Sequence, residues 1–183
     1  MNDKVTTIKN MIGTNFLKNP VPITYLQKIE NDLGIIFPEE FKIFYSQISN
    51  GLIINHYRKL HTIETILKNI EQEKEISKIN LIQQKFTLEN AYMWETPQEE
   101  NDNEEEEDEL SQIAHFGNIE ITNMGCGETW NLIVNGNFYG TMWNKSEYGI
   151  VPCDPKLTFF DWFEIWYLKK YISLDFSGSK WDK

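Results

Sequence analysis

Cysteine is nearly absent from the 183-residue chain. Cys126 and Cys153 are the only two, too few for a disulfide framework, and the sequence predicts both to be buried thiols. Long hydrophobic runs are missing too, since no stretch approaches the roughly 20 apolar residues of a membrane helix. At the N-terminus Val5, Ile8, Met11 and Ile12 recur at helical spacing, but Lys4 and Lys9 interrupt the apolar core that an export signal needs. Cytoplasmic residence is therefore expected, with no membrane contact. Basic residues are scarce: 17 Lys and Arg face 28 Asp and Glu, a net charge of −11. That excess argues against direct nucleic-acid binding, which relies on clustered Lys and Arg.

The familiar signatures of catalysis and metal binding are also lacking. Neither HExxH nor a nucleophile elbow occurs, and His56, His61 and His115 stand apart in the sequence. Zinc would need three or four ligands. Cys126, Cys153 and His115 have no CxxC or HxxxH spacing, and no metal is expected. A calcium loop starting at Asp102 would carry Glu107 where Gly is required and Ile113 where Glu is required. Gly125-Cys126-Gly127-Glu128 lacks the spacing and the Lys of a phosphate cradle and reads as a turn, bulge or close approach. No cofactor and no catalytic residue is assigned.

What is present is a packable chain, 40% hydrophobic and 14% aromatic, with charge concentrated in one place. Nine acids fall within residues 99–109, and removing them from −11 leaves about −2. Residues 97–109 offer no aliphatic or aromatic side chain to pack, so the segment reads as a solvated, mobile loop inserted between core elements.

Local signals order the rest. Pro22 opens a helix with Leu26, Ile29 and Leu33 on one face and Gly34 as its stop. Pro38 opens a second, with Phe41, Phe44, Tyr45 and Ile48 as its stripe and Asn50-Gly51 at its end. A short strand is expected at residues 56–60. Thr62 caps a third helix carrying Ile63, Ile66, Leu67 and Ile70. Residues 75–95 admit a helix through Ile76, Ile79, Ile82 and Phe86, or strands at 86–88 and 92–94. Strands are predicted at 113–116, 119–122, 130–134 and 138–143, with Asn135-Gly136 as a two-residue hairpin turn. Thr158, with Asp161 three residues on, caps a last helix bearing Phe159, Trp162, Phe163 and Trp166. The fold class is α+β: helices packed on an antiparallel or mixed twisted sheet in a single domain. Residues 1–20 form a helical extension, 21–174 the domain with its acidic insertion at 97–109, and 175–183 a tail.

Leu33-Gly34-Ile35-Ile36-Phe37-Pro38-Glu39-Glu40-Phe41, running on to Ser49-Asn50-Gly51, resembles the opening signature of the SUKH superfamily. Gly125-Cys126-Gly127, Trp130-Asn131-Leu132-Ile133-Val134, the stretch from Gly136 to Trp143, Gly149-Ile150-Val151-Pro152 and the aromatic run from Phe159 to Trp166 are similar to its second half, in the same order. The resemblance spans residues 22–172 and departs from the pattern at 75–110 and at Phe37, where an aliphatic residue is usual. It implies a bacterial immunity protein that binds and neutralises a contact-delivered toxin, often a nuclease, without catalysis. A regulatory or scaffolding module like the fungal members is the alternative. An enzyme is the remote one, and would need His115, Cys126 and a carboxylate brought together. A basic toxin as partner fits the acidic charge, with Glu104, Glu105, Glu106, Glu107, Asp108 and Glu109 steering it and Trp94 and Trp143 as exposed aromatic contacts.

Overall fold

The computed structural model describes residues 2–13, 16–55, 58–94 and 111–178. The acidic run 97–109 and His56 lie outside the described residues. The architecture is α+β: an open antiparallel sheet with helices packed against it.

Helix α1 (Asn2–Ile12) forms as its apolar spacing predicts, but it is no appended extension. Ile8 and Ile12 are buried in the main core, and Lys4 pairs with Asp161 across to the last helix. Helix α2 (Ile23–Leu33) buries Leu26 and Ile29 and ends at Gly34, whose φ of +68° turns the chain and whose N–H returns to the Glu30 carbonyl. Helix α3 (Glu39–Ile43) continues as a π-helical turn over Phe44–Ile48. Asn50-Gly51 does more than end it. The Asn50 Oδ1 accepts the Ile63 N–H at 2.9 Å, so it joins Thr62 in capping α4 (Ile63–Ser77). Residues 75–95 resolve into the end of α4, a 3-10 turn (Leu81–Gln83) and the short strand β3 (Tyr92–Met93).

β1 (Leu52–Ile53) and β2 (Lys59–Leu60) form a small ribbon. The main sheet runs β3-β7-β6-β5-β4, with β4 Asn118–Gly125, β5 Glu128–Ile133, β6 Met142–Lys145 and β7 Gly149–Pro152, all neighbours antiparallel. Two expectations about this half are corrected. Residues 113–116 form a helical turn, with the His115 N–H on the Gln112 carbonyl and the Phe116 N–H on the Ile113 carbonyl. Asn135-Gly136 is not the tight hairpin turn. That turn is Cys126-Gly127, enclosed by the Gly125–Glu128 pair, with φ of +50° and +77° as a primed turn requires. The Cys126 thiol is consequently exposed, whereas Cys153 is buried. Gly136 serves close approach instead: it bridges Phe86, and a Cβ there would lie 2.1 Å from the Phe86 carbonyl oxygen.

One sheet face packs Trp130, Leu132 and Met142 under the helices. Helix α5 (Phe159–Tyr167), capped by Thr158 as predicted, presents Phe159 and Phe163 edge-on or tilted to Phe44, with centroids at 5.5 and 5.0 Å. Trp162 meets Trp130 at 5.7 Å. The Glu40 carboxylate on α3 accepts the Phe160 N–H at 2.9 Å, giving α5 a second N-terminal acceptor. The other face holds a smaller cluster of Phe86, Leu88, Ala114, Ile133, Trp143 and Ile150. The chain after α5 returns alongside β7, where Asp154 N–H meets the Ser173 carbonyl and Asp175 N–H the Pro152 carbonyl, both at 2.9 Å, so residues 173–175 belong to the folded body.

Gly125 and Gly136 both need positive φ, but only Gly136 faces a backbone clash. Gly136→Ala should therefore cost at least about 2 kcal/mol, and clearly more than Gly125→Ala. Urea unfolding of the two variants measures this, and equal losses would contradict the close-approach role.

Candidate functional site

A cleft of about 720 Å³ lies between the C-terminal end of α2 and the β5–β6 connection. Gly34 and Pro38 bracket an extended stretch in which successive side chains point to opposite sides. Ile35 and Phe37 go inward, and Ile36 is left 66% exposed on the rim. Pro38 approaches the opposite wall at Gly140, where an added Cβ would sit 3.8 Å from the Pro38 Cβ. Tyr139, next to Gly140, lines the cleft and is 46% exposed.

Amides fix this geometry from beneath. Gln83 Nε2 donates to the Leu33 carbonyl at 2.7 Å, and Asn135 Nδ2 donates to the Gln83 and Gln84 carbonyls at 2.8 and 3.2 Å. Glu30 accepts the Phe37 N–H at 2.7 Å and lies 3.6 Å from Lys42, which also reaches Glu39 at 3.3 Å. Two carboxylates thus share one ammonium. Burial pushes the Tyr139 phenol upward, and the fields of Glu30 and Glu39 add to the shift. With Glu30 half-buried against Lys42, the apolar rim, the phenol and the exposed Glu39 carboxylate suit a lysine or arginine side chain, whose alkyl stem and cationic head need different surroundings.

Of the residues expected to bind a partner, only Trp94 and Trp143 are among the described residues. Glu104 to Glu109 lie outside the described residues. Trp94 is half-buried, its ring 6.3 Å from Tyr92 and its N–H on the Glu147 carbonyl at 2.6 Å. Trp143 is a correction: it is fully buried, packed on Phe86 at 4.8 Å and Phe138 at 5.6 Å, and presents no surface to a partner. Ile36 was legible from the Gly-Ile-Ile-Phe-Pro run, since an extended stretch must turn one of its isoleucines outward. Tyr139 carried no comparable signal, because its turn was read as part of a strand.

The two described histidines, His61 and His115, sit on the second sheet face. His61 Nε2 meets Glu120 Oε1 at 2.8 Å, and Lys145 Nζ meets His115 Nδ1 at 2.8 Å. An ammonium can only donate, so His115 accepts at Nδ1 and carries its neutral-form proton on Nε2. Burial, then the Lys145 charge, lowers His115 to about 4. Burial likewise lowers Lys145, against the pull of Glu73 on α4 and Glu120 on β4. Cys153 is pushed up to about 12 by burial. Among the described residues no group of three or more His, Cys, Asp or Glu is arranged to hold a metal ion.

No family model, curated protein or solved structure matches the chain.

The folded His115 resists protonation that the unfolded chain accepts from its ordinary value of 6.5 downward. Its contribution to stability is therefore lost as pH falls from 6.5 towards about 4. Over that window the wild type should lose stability relative to His115→Gln, with a constant difference above and below it. Urea midpoints at a series of pH values measure this, and a difference independent of pH would contradict the buried neutral imidazole.

Proposed function

We propose that this chain is a non-catalytic immunity protein that binds and neutralises a basic bacterial toxin in the cytoplasm. The observation that supports the proposal most is a convergence in space. Two stretches that carry the SUKH resemblance, Leu33 to Phe41 and Gly136 to Trp143, meet across one cleft whose rim exposes Ile36 and Tyr139 beside Glu30 and Glu39. A toxin that grips nucleic-acid phosphates carries surface Lys and Arg, and such side chains match this cleft in charge and shape.

Division of labour follows from the charge distribution. Glu104, Glu105, Glu106, Glu107, Asp108 and Glu109 supply a long-range field that accelerates encounter, and the cleft supplies the short-range contacts that hold the complex. The first acts on the association rate and the second on dissociation.

Both roles are tested with the toxin encoded beside the gene. Replacing the six acids by Gln should slow association at low salt by about tenfold or more and leave dissociation nearly unchanged. Ile36→Asp with Tyr139→Ala should speed dissociation by about a hundredfold. Surface plasmon resonance across salt concentrations reads both. An unchanged low-salt rate removes the steering role, an unchanged dissociation rate removes the cleft, and no complex at all removes the proposal.

A further inference from the structure

One groove in this acidic molecule has the opposite character. It encloses about 490 Å³, within the roughly 300–1,000 Å³ range of ligand-sized sites. Trp130 and Trp166 contribute aromatic surface to it. Lys169, Lys170, Tyr171 and Phe176 come from the chain that follows α5. Arg58, the single arginine of the sequence, lies over the Trp166 ring at 4.9 Å. It donates to the Trp166 carbonyl and, at 3.1 Å, to the Tyr167 carbonyl, and so closes the negative end of the helix.

The wall formed by residues 168–176 is held in place rather than loosely attached. Leu174 pairs with Cys153, and residues 173 and 175 hydrogen-bond to the chain at the end of β7. Yet Leu168, Tyr171 and Phe176 on it are 49%, 88% and 42% exposed. A pinned backbone that keeps large apolar side chains in water is the pattern of an interaction surface. Its charge is positive. Arg58, Lys169 and Lys170 line the groove against one carboxylate, Glu128, whose Oε1 accepts from Asn144 Nδ2 at 3.2 Å. Among the described residues no carboxylate pairs with Lys169 or Lys170.

The geometry points to this groove as a docking site for a short acidic peptide segment of a partner protein, one that places an aromatic or aliphatic side chain next to carboxylates. The exposed rings of Tyr171 and Phe176 take the apolar side chain, and the two lysines meet the carboxylates. Charge complementarity with an otherwise anionic molecule selects the occupant: a segment with a few acids gains from the local cations. A polyphosphate would extend past three cations into the field of a chain carrying −11. The inference is independent of the toxin-binding proposal, because it concerns other residues and a partner segment of opposite charge.

The test uses the full chain and fluorescence anisotropy with three labelled probes: a short peptide of alternating Glu and Leu with one Phe, its Lys-for-Glu counterpart, and a short oligothymidylate. The acidic peptide should bind saturably and the other two should not. Lys169→Gln with Lys170→Gln should weaken that binding by about tenfold, with the melting temperature little changed because both side chains are exposed. Tyr171→Ala, at an 88% exposed position, should weaken it as well. Absence of saturable binding at millimolar peptide, an affinity unchanged in the lysine double variant, or tighter binding of the oligothymidylate would each overturn the assignment.

Discussion

The packing of aromatic side chains between α3 and α5 is the constraint on which the remaining structure depends. Phe41 of α3 and Phe44 of the π-helical turn that continues it project into Phe159 and Phe163 of α5, with centroids 5.0–5.9 Å apart. Trp162 carries the contact onward to Trp130 on the sheet. Each such ring contributes on the order of 1.5–3 kcal/mol by leaving water, and edge-on pairs add a smaller directional term. Because Glu40 also caps α5, α3 is held at both its side chains and its start. Pro38 is thereby fixed at the mouth of α3, and the extended stretch before it must leave Ile36 facing out. The cleft is a by-product of core packing, which is why it can be rigid while its rim residues remain free to vary.

The two sheet faces solve different problems. The helix-covered face is almost wholly apolar. The other combines the Trp143 cluster with a row of polar and charged groups, Asn131, Glu120, His61, Lys145 and His115. Burying such groups is costly unless each has a partner. Here His61 pairs with Glu120, His115 accepts from Lys145, and Asn131 donates to Thr129 at 2.8 Å. The first two pairs tie loop and turn to the strands beside the apolar Trp143 cluster, and the buried His115 makes this face sensitive to pH.

Much of the fold was legible because its signals are local. Gly34 as a helix stop and Thr62 and Thr158 as caps act through their own backbone neighbours, and all three are found where the sequence places them. What failed depended on distant partners. Gly136 is needed because Phe86, fifty residues away in sequence, passes against it, and a sequence motif for a tight turn cannot report that. Trp143 looks like any surface tryptophan until the register of β6 is known. Its pairing with Asn131 puts it on the face where Phe86 and Phe138 close over it. Ile36 could be read from the run it stands in, whereas Tyr139 could not, because its turn begins where the hairpin was misplaced.

Charge organises the proposed function as packing organises the fold. Nine acids crowd into residues 99–109, Glu30 and Glu39 flank the cleft, and the cations Arg58, Lys169 and Lys170 collect at a separate groove. Under the two proposals, partners of opposite sign are drawn to different places on one small molecule. The most direct measurement is hydrogen–deuterium exchange of the chain alone and bound to the toxin that the proposal names as its partner. The account predicts new protection centred on residues 33–41 and 136–140. Protection confined to other surfaces, with those two stretches exchanging as in the free protein, would contradict it.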